Sequence, residues 1–271
     1  MDTGLTGRTV VVTGATANIG RAIALAFAAE GSNIVVVGRD DVQGPRVCEQ
    51  SMERGAKDTL WLAADVTDRA QVLAMAEAAH GRFGAVDVLV NNVGGSVDVD
   101  PFVKSDPATW DRDIALTIGS TLNCTHAILP GMIERSHGRI INLGSTSGIV
   151  GDPNMAVYSA MKGAVHAFTK VLAKEVGRYG ITVNAIAPYG TLPDDPEHDV
   201  SSGSRFHPQG MFAQLLVTKG EIMGAIARKT VMERQFAKPP EIGAAAVYLA
   251  SDAAAFVTAQ VLCVDGGTVI A

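Results

Sequence analysis

"RTVVVTGATANIGRAIALAFAAEGSNIVVVGRD", residues 8–40, changes its hydrophobic period twice. Residues 8–14 are a β-branched run ending in Gly14, residues 20–31 carry Ala, Ile, Leu and Phe at helical spacing up to Gly31, and residues 33–38 return to a β-branched run. Neither strand run alternates with polar residues, which is the pattern of a strand buried on both faces. A strand, a helix and a second strand joined so tightly form a parallel pair with a crossover.

The pattern continues along the chain. Strands are expected at 59–65, 86–92, 138–145, 181–188 and 260–267, with helices near 41–55, 69–82, 107–135, 157–179 and 240–250. Right-handed crossovers make the simplest topology a doubly wound α/β fold: a parallel sheet of about seven strands with helices on both faces. No internal repeat or low-complexity linker divides the 271 residues, so the expectation is one domain, 1–271.

Composition narrows the function. Hydrophobic residues are 47% and aromatic residues 5%, which suits tightly packed helices on a Val/Ile-rich sheet. A net charge of −6, with no dense basic run, argues against a nucleic-acid binder. Cys48, Cys124 and Cys263 have no metal-ligand or paired spacing and are expected as reduced core thiols; no metal is expected. The N-terminus carries no signal-peptide pattern, and no apolar run approaches the ~20 residues of a membrane helix. A soluble, cytoplasmic protein is expected.

The loop "TGATANIG" (13–20) lies between a strand and a helix start. The amides and partial positive charge of a helix N-terminus suit a pyrophosphate, and Gly14 and Gly20 permit a tight turn with close backbone approach. At the end of the second strand, Gly38 has no carboxylate for ribose hydroxyls, whereas Arg39 has the planar fork that suits a 2′-phosphate. NADP is therefore favoured over NAD. Asp40 is placed either to neutralise Arg39 or to contact a ribose itself.

Further on, "VYSAMK" (157–162) sets Tyr158 and Lys162 four apart on one helix face. Alone, it reads as an amphipathic turn or as an acid–base pair. A free phenol titrates near ~10, too high for an efficient base at neutral pH, and a neighbouring ammonium favours phenolate.

"TGATANIG", "ADV" (64–66), "NNVG" (91–94), Ser145, "YSAMK" and "VDGG" (264–267) stand in the order and spacing of the short-chain dehydrogenases/reductases, which the chain resembles from about Arg8 to Gly267. The resemblance implies a Rossmann-type oxidoreductase. Gly14, Asn18, Ile19 and Gly20 would line the pyrophosphate, Asp65 and Val66 the adenine, and Asn92 and Gly94 the adenosine side of the cofactor. Tyr158 would be the acid/base, Lys162 its activator and ribose anchor, and Ser145 the donor to the substrate oxygen. Pro188, Gly190 and Thr191 would border the nicotinamide. The resemblance also implies a small-molecule alcohol or ketone as substrate and a homotetramer or dimer built on the long helices. Alicyclic or aryl alcohols and hydroxyacyl thioesters both fit.

Three positions depart from the family pattern. Asn18 replaces a glycine, in a conformation that asparagine tolerates. Thr117 replaces the asparagine that holds a water in a proton relay to the lysine. Tyr189 stands where glycine is usual, leaving Gly190 or Thr191 to serve there. These departures motivate the alternative of a cofactor-binding protein without turnover.

Between about 189 and 237 the periodicity lapses, and a stretch this long inside a domain is usually functional. A substrate lid is expected here, with a helix over 211–227. Phe206, Met211, Phe212 and Leu215 are candidate pocket walls, and His207 reads as a loop histidine. Residues 94–102 are expected to form the opposite rim.

Overall fold

Seven strands, β1 (Thr9–Thr13), β2 (Asn33–Gly38), β3 (Asp58–Ala63), β4 (Val88–Asn91), β5 (Gly138–Leu143), β6 (Ile181–Pro188) and β7 (Val261–Val264), pair in the order β3–β2–β1–β4–β5–β6–β7. Every pairing is parallel. The computed structural model describes residues 2–96, 99–193, 195, 200, 204, 207–210, 214, 217, 218, 220 and 230–270.

The unbroken apolar runs are explained by two cores. Strand alternation sends Val10 and Val12 to one face, against Ile23 and Phe27 of α1 (Asn18–Ala29) and Ile242 and Ala246 of α8 (Pro239–Ala250). Val11 and Leu89 point to the other face, against Met75 of α3 (Arg69–Phe83), Met132 of α5 (Ser120–Glu134) and Leu172 of α7 (Ala156–Val176). Each Val or Ile so buried contributes roughly 1.5–3 kcal/mol. The remaining helices are α2 (Gln43–Arg54), α4 (Pro107–Ile114) and the short α6 (Ser147–Val150).

The chain runs outward from β1 to β2 and β3, then crosses back to β4 on the other side of β1. Connections leave β1 and β4 in opposite directions, opening a crevice at their C-terminal ends, where open α/β sheets bind ligands. Gly14 and Asn92 follow these two strands.

The helix expected over 107–135 is divided: a π-helical turn, Ala115–Gly119, separates α4 from α5. Inside that turn Thr117 is buried, its Oγ1 accepting from the Gly95 N–H (3.2 Å) and donating to the Gly95 carbonyl (3.3 Å). Such turns commonly mark functional sites.

After β6 the chain departs and returns to the same point. Thr191 bridges Ala237 in parallel, with the Ala237 N–H on the Gly190 carbonyl (2.9 Å) and the Leu192 N–H on the Ala237 carbonyl (3.1 Å). Of the expected lid helix, the described residues Gln214, Val217, Thr218 and Gly220 are helical. Among the described residues no helix is long and apolar enough to cross a membrane, and no group of three or more His, Cys, Asp or Glu is placed to hold a metal.

Candidate active site

The glycine loop is a closed cradle. Gly14 has φ +63°, and a Cβ on Gly20 would lie 2.1 Å from the Gly14 carbonyl oxygen, so neither position admits a side chain. Asn18 has φ +44°, the left-handed conformation expected of it. Asn92 fastens this turn from β4, its Nδ2 donating to the carbonyls of Thr13 (2.9 Å) and Gly14 (3.1 Å). Helix α1 has Ala17 at its N-cap, with no side-chain cap and no acid in its first turn. A helix start with no acid in its first turn, behind a loop whose Gly14 and Gly20 admit no side chain, fits the pyrophosphate of a dinucleotide. Ile19 packs against the core beneath. Asn18 Nδ2 reaches the Thr191 carbonyl at 3.5 Å, bringing the glycine loop against the exit of β6, while its buried Oδ1 has no hydrogen-bond partner.

At the far end of the crevice, a Cβ on Gly38 would lie 2.7 Å from Thr16 Cγ2, which leaves no room there for a carboxylate. Arg39 is largely exposed and pairs with Asp65 at 3.4 Å. Asp40 is engaged elsewhere: its Oδ1 accepts from the N–H groups of Val42 (3.0 Å) and Gln43 (2.9 Å) at the start of α2. Of the two roles open to Asp40, neutralising Arg39 falls instead to Asp65. Burial pushes the Asp65 carboxyl up, but hydrogen bonds from Thr67 and the Arg39 guanidinium outweigh it and hold its pKa below the ordinary value. Val66, next to it, is buried.

The residues expected to carry the chemistry stand on α7 and at the end of β5. Tyr158, Lys162 and His166 lie at successive spacings of four and so share a face. Lys162 is only 4% exposed. Its Nζ donates to the Leu143 carbonyl (2.5 Å) and lies 5.8 Å from the centre of the Tyr158 ring. A Cβ on Gly94 would approach that Nζ to 2.9 Å and Thr117 Cγ2 to 3.5 Å, so the glycine makes room for the ammonium. The Thr117 hydroxyl itself is committed to Gly95.

Ser145 follows β5 and is oriented from below. Ser147 Oγ bonds the Asp152 carboxylate, which can only accept, so the one Ser147 hydroxyl proton is given to it. Ser145 Oγ must then donate to Ser147 Oγ (3.1 Å), while accepting from the Ser147 N–H (3.1 Å). What Ser145 offers a substrate in this arrangement is a lone pair, suited to an alcohol O–H. Donation to a ketone oxygen requires the link to Ser147 to open. His166, buried, accepts the Ser145 N–H on Nε2 (3.4 Å). Burial, together with the charges of Lys162 and Lys170, pushes its pKa down to about 4, so the ring is neutral and able to accept.

Beside Tyr158 lies a shallow, open cleft. Its other wall includes Ser96, Asp100, Phe102, Trp110 and Asp113. The rings of Phe102 and Trp110 stack at 5.2 Å. Asp113 is 3% exposed and accepts from Ser96 Oγ at 3.4 Å. Ser96, Asp100 and Phe102 belong to the 94–102 segment expected as a rim, and Trp110 and Asp113 to α4, inside the helix expected over 107–135.

Toward β6, the Pro188 carbonyl accepts the Thr146 N–H (3.1 Å), the Tyr189 N–H meets the Val264 carbonyl (3.4 Å), and Gly190 packs beneath Phe236. His207 Nδ1 accepts from the Gln209 N–H (3.2 Å), as a loop histidine does. Phe206, Met211, Phe212 and Leu215 lie outside the described residues.

Sequence reasoning missed His166, Asp152 and Asp113. His166 was open to discovery, being one more helical step of four beyond Lys162. No local signal marks Asp113 in "WDRDIAL" as buried.

The model of the short chain dehydrogenase family matches residues 8–199, and that described as enoyl-(acyl carrier protein) reductase matches residues 210–269. The chain is 35% identical over 269 residues to D-beta-hydroxybutyrate dehydrogenase of Cupriavidus necator, covering 98% of this chain and 99% of that one. It is 33% identical over 272 residues to a 3-oxoacyl-[acyl-carrier-protein] reductase of Thermotoga maritima, covering 98% and 99%. The crystal structure of gox2181 superposes with a TM-score of 0.84 at 26% identity, over 97% of this chain and 96% of that one.

Proposed function

The chain belongs to the short-chain dehydrogenase family and is an oxidoreductase of the NAD(P) type; on that premise we propose that it interconverts a secondary alcohol and a ketone. The observation that carries this reading is the buried Lys162 ammonium beside the Tyr158 ring, with Ser145 at the adjoining strand end and the cleft alongside. Bound, the nicotinamide supplies or takes the hydride. The rest is work for the protein. Tyr158 passes the proton to or from the substrate oxygen, Lys162 favours its phenolate, and Ser145 holds that oxygen in line. Because Thr117 is bonded to Gly95, we assign it to holding the 94–96 segment in place.

Gly14, Asn18, Ile19 and Gly20 would hold the pyrophosphate, and Asp65 and Val66 the adenine. Asn92 supports the turn, Gly94 clears space over Lys162, and Pro188, Gly190 and Thr191 border the nicotinamide. Arg39 supports NADP over NAD, in competition with its pairing to Asp65. We take the chain as one domain with a substrate lid at about 189–237, whose base is the Thr191–Ala237 bridge. Exposed apolar residues on the long helices, Leu122 on α5 and Val171 on α7, support assembly into a dimer or tetramer.

The two relatives suggest two substrate types, a free hydroxy acid and an acyl thioester, and either has the required secondary alcohol or ketone. Mixing the protein with NADPH or NADH and a panel of alicyclic, aryl and 3-oxoacyl ketones, while following nicotinamide absorbance, tests the reading. Ketone-dependent oxidation of the cofactor is expected. Tight cofactor binding with no oxidation across the panel would favour a binding protein without turnover.

A further inference from the structure

We propose that Ser147 and Asp152 are positioning residues that fix the polarity of Ser145, readying the site to receive an alcohol O–H in preference to a ketone oxygen. The inference rests on the alcohol–ketone reading and deepens it, because it names which of the two partners the resting site accepts.

Three side chains make one directed chain. Ser145 and Ser147 are buried, whereas Asp152 is half-buried between the exposed Gly151 and Pro153 and in reach of water. Ser145 Oγ donates to Ser147 Oγ (3.1 Å), and Ser147 Oγ donates to Asp152 Oδ2. A serine hydroxyl has one proton to give, so the carboxylate at the end sets the direction of both bonds. The bond to that carboxylate is charge-assisted, which makes it the firmer of the two. The Ser147 N–H takes one lone pair of Ser145 Oγ (3.1 Å) and leaves the other for a ligand.

The chain is fastened to the helix that carries Tyr158. The Asp152 N–H donates to Ser159 Oγ (3.2 Å), and the Asp152 carbonyl accepts from the Met155 N–H (3.2 Å). Asp152 is therefore held by the residue next to Tyr158. Beside Ser147, a Cβ on Gly148 would lie 2.6 Å from the Lys162 carbonyl carbon, so α6 is seated on α7 with no room for a side chain. The link from β5 through α6 to α7 thus fixes where the Ser145 proton points relative to the phenol. A link that only supported Ser145 would be indifferent to that direction.

Two ligands that need no hydride transfer test this. Trifluoroethanol brings an alcohol O–H to the complex with oxidised cofactor, and the isobutyramide carbonyl stands for the ketone on the complex with reduced cofactor. Fluorine NMR reads the first and nicotinamide fluorescence the second. In Ser147→Ala the Ser145 proton loses its acceptor and turns to the ligand. Isobutyramide should then bind about fivefold tighter than to wild type, the gain of one neutral hydrogen bond, while trifluoroethanol stays within about twofold. Asp152→Ala should tighten isobutyramide too, because Ser147 is then free to donate to Ser145, and it serves if Ser147→Ala does not fold. Adding Ser145→Ala to Ser147→Ala should remove the gain. Local damage weakens both ligands, so a gain confined to the carbonyl ligand separates polarity from support. Unchanged isobutyramide binding, equal weakening of both ligands, a gain that survives the loss of Ser145, or no binding of either compound to the wild type overturns the proposal. If no ketone in the panel is turned over while these titrations behave as expected, the alcohol–ketone reading fails and the polarity of Ser145 stands.

Discussion

The two walls of the cleft are built by opposite means. On one, Tyr158 lines the cleft and Lys162 and His166 follow it, buried, on successive turns of α7, so the helix itself aligns them. On the other, Ser96 and Asp113 come from a strand exit and a helix 17 residues apart, and they meet because the π turn binds Gly95. The arrangement around Tyr158 is local in sequence, whereas the meeting of Ser96 with Asp113 exists only once the chain has folded.

The strongest challenge to this contrast is Tyr158→Phe. Removing one hydroxyl from the local wall should lower turnover by at least ~10³-fold, within the range for a lost acid/base, while the cofactor binds within about threefold of wild type. Steady-state rates with a parallel fluorescence titration of cofactor would check it, and a variant retaining a tenth of the rate would remove the phenol from its role.

Next in size is the effect of His166, which asks whether the local wall extends one turn further. Its pKa is about 4 in the folded protein against 6.5 as the ordinary value. As pH falls from 6.5 toward 4 the unfolded chain takes up a proton that the folded ring refuses, so stability is lost through that window, by about 3 kcal/mol at its lower end. Urea unfolding at a series of pH values should show this slope in the wild type and a flatter one in His166→Gln. Identical slopes would mean that the ring titrates freely.

The smallest effect sharpens the contrast at the end of β2, where Arg39 and Asp65 are a tertiary pair like Ser96 and Asp113. Arg39→Ala should weaken NADPH by about tenfold, as expected for the loss of a charge-assisted contact, and NADH by less than about twofold. Dissociation constants for both cofactors decide it; equal losses would mean that Arg39 serves Asp65 alone.

The same division governs what could be read from the chain alone. Unbroken Val/Ile runs and Ala-rich helical spacing were enough for seven strands and a doubly wound sheet, because strand alternation and helix pitch are properties of the backbone. Asn18 was legible for the same reason: its left-handed φ is a local conformational choice. Asp40 was not. Either of its two roles fitted the sequence, and only the fold showed its carboxylate accepting from the Val42 and Gln43 N–H groups at the start of α2. Asn92 was expected at the cofactor, and the fold shows its amide fastening the glycine turn. Nothing in a helix-spaced stretch such as 107–135 announces the extra residue of a π turn.

By itself, then, the sequence determined the order of elements, the glycine cradle and the alignment of Tyr158 with Lys162, all set by covalent geometry over a few residues. Tertiary structure decided which carboxylate meets Arg39, how Ser147 and Asp152 orient Ser145, and that Asp113 is buried beside the cleft. Those outcomes depend on the distance between segments far apart in the chain, and that distance is fixed by the packing of helices onto the sheet.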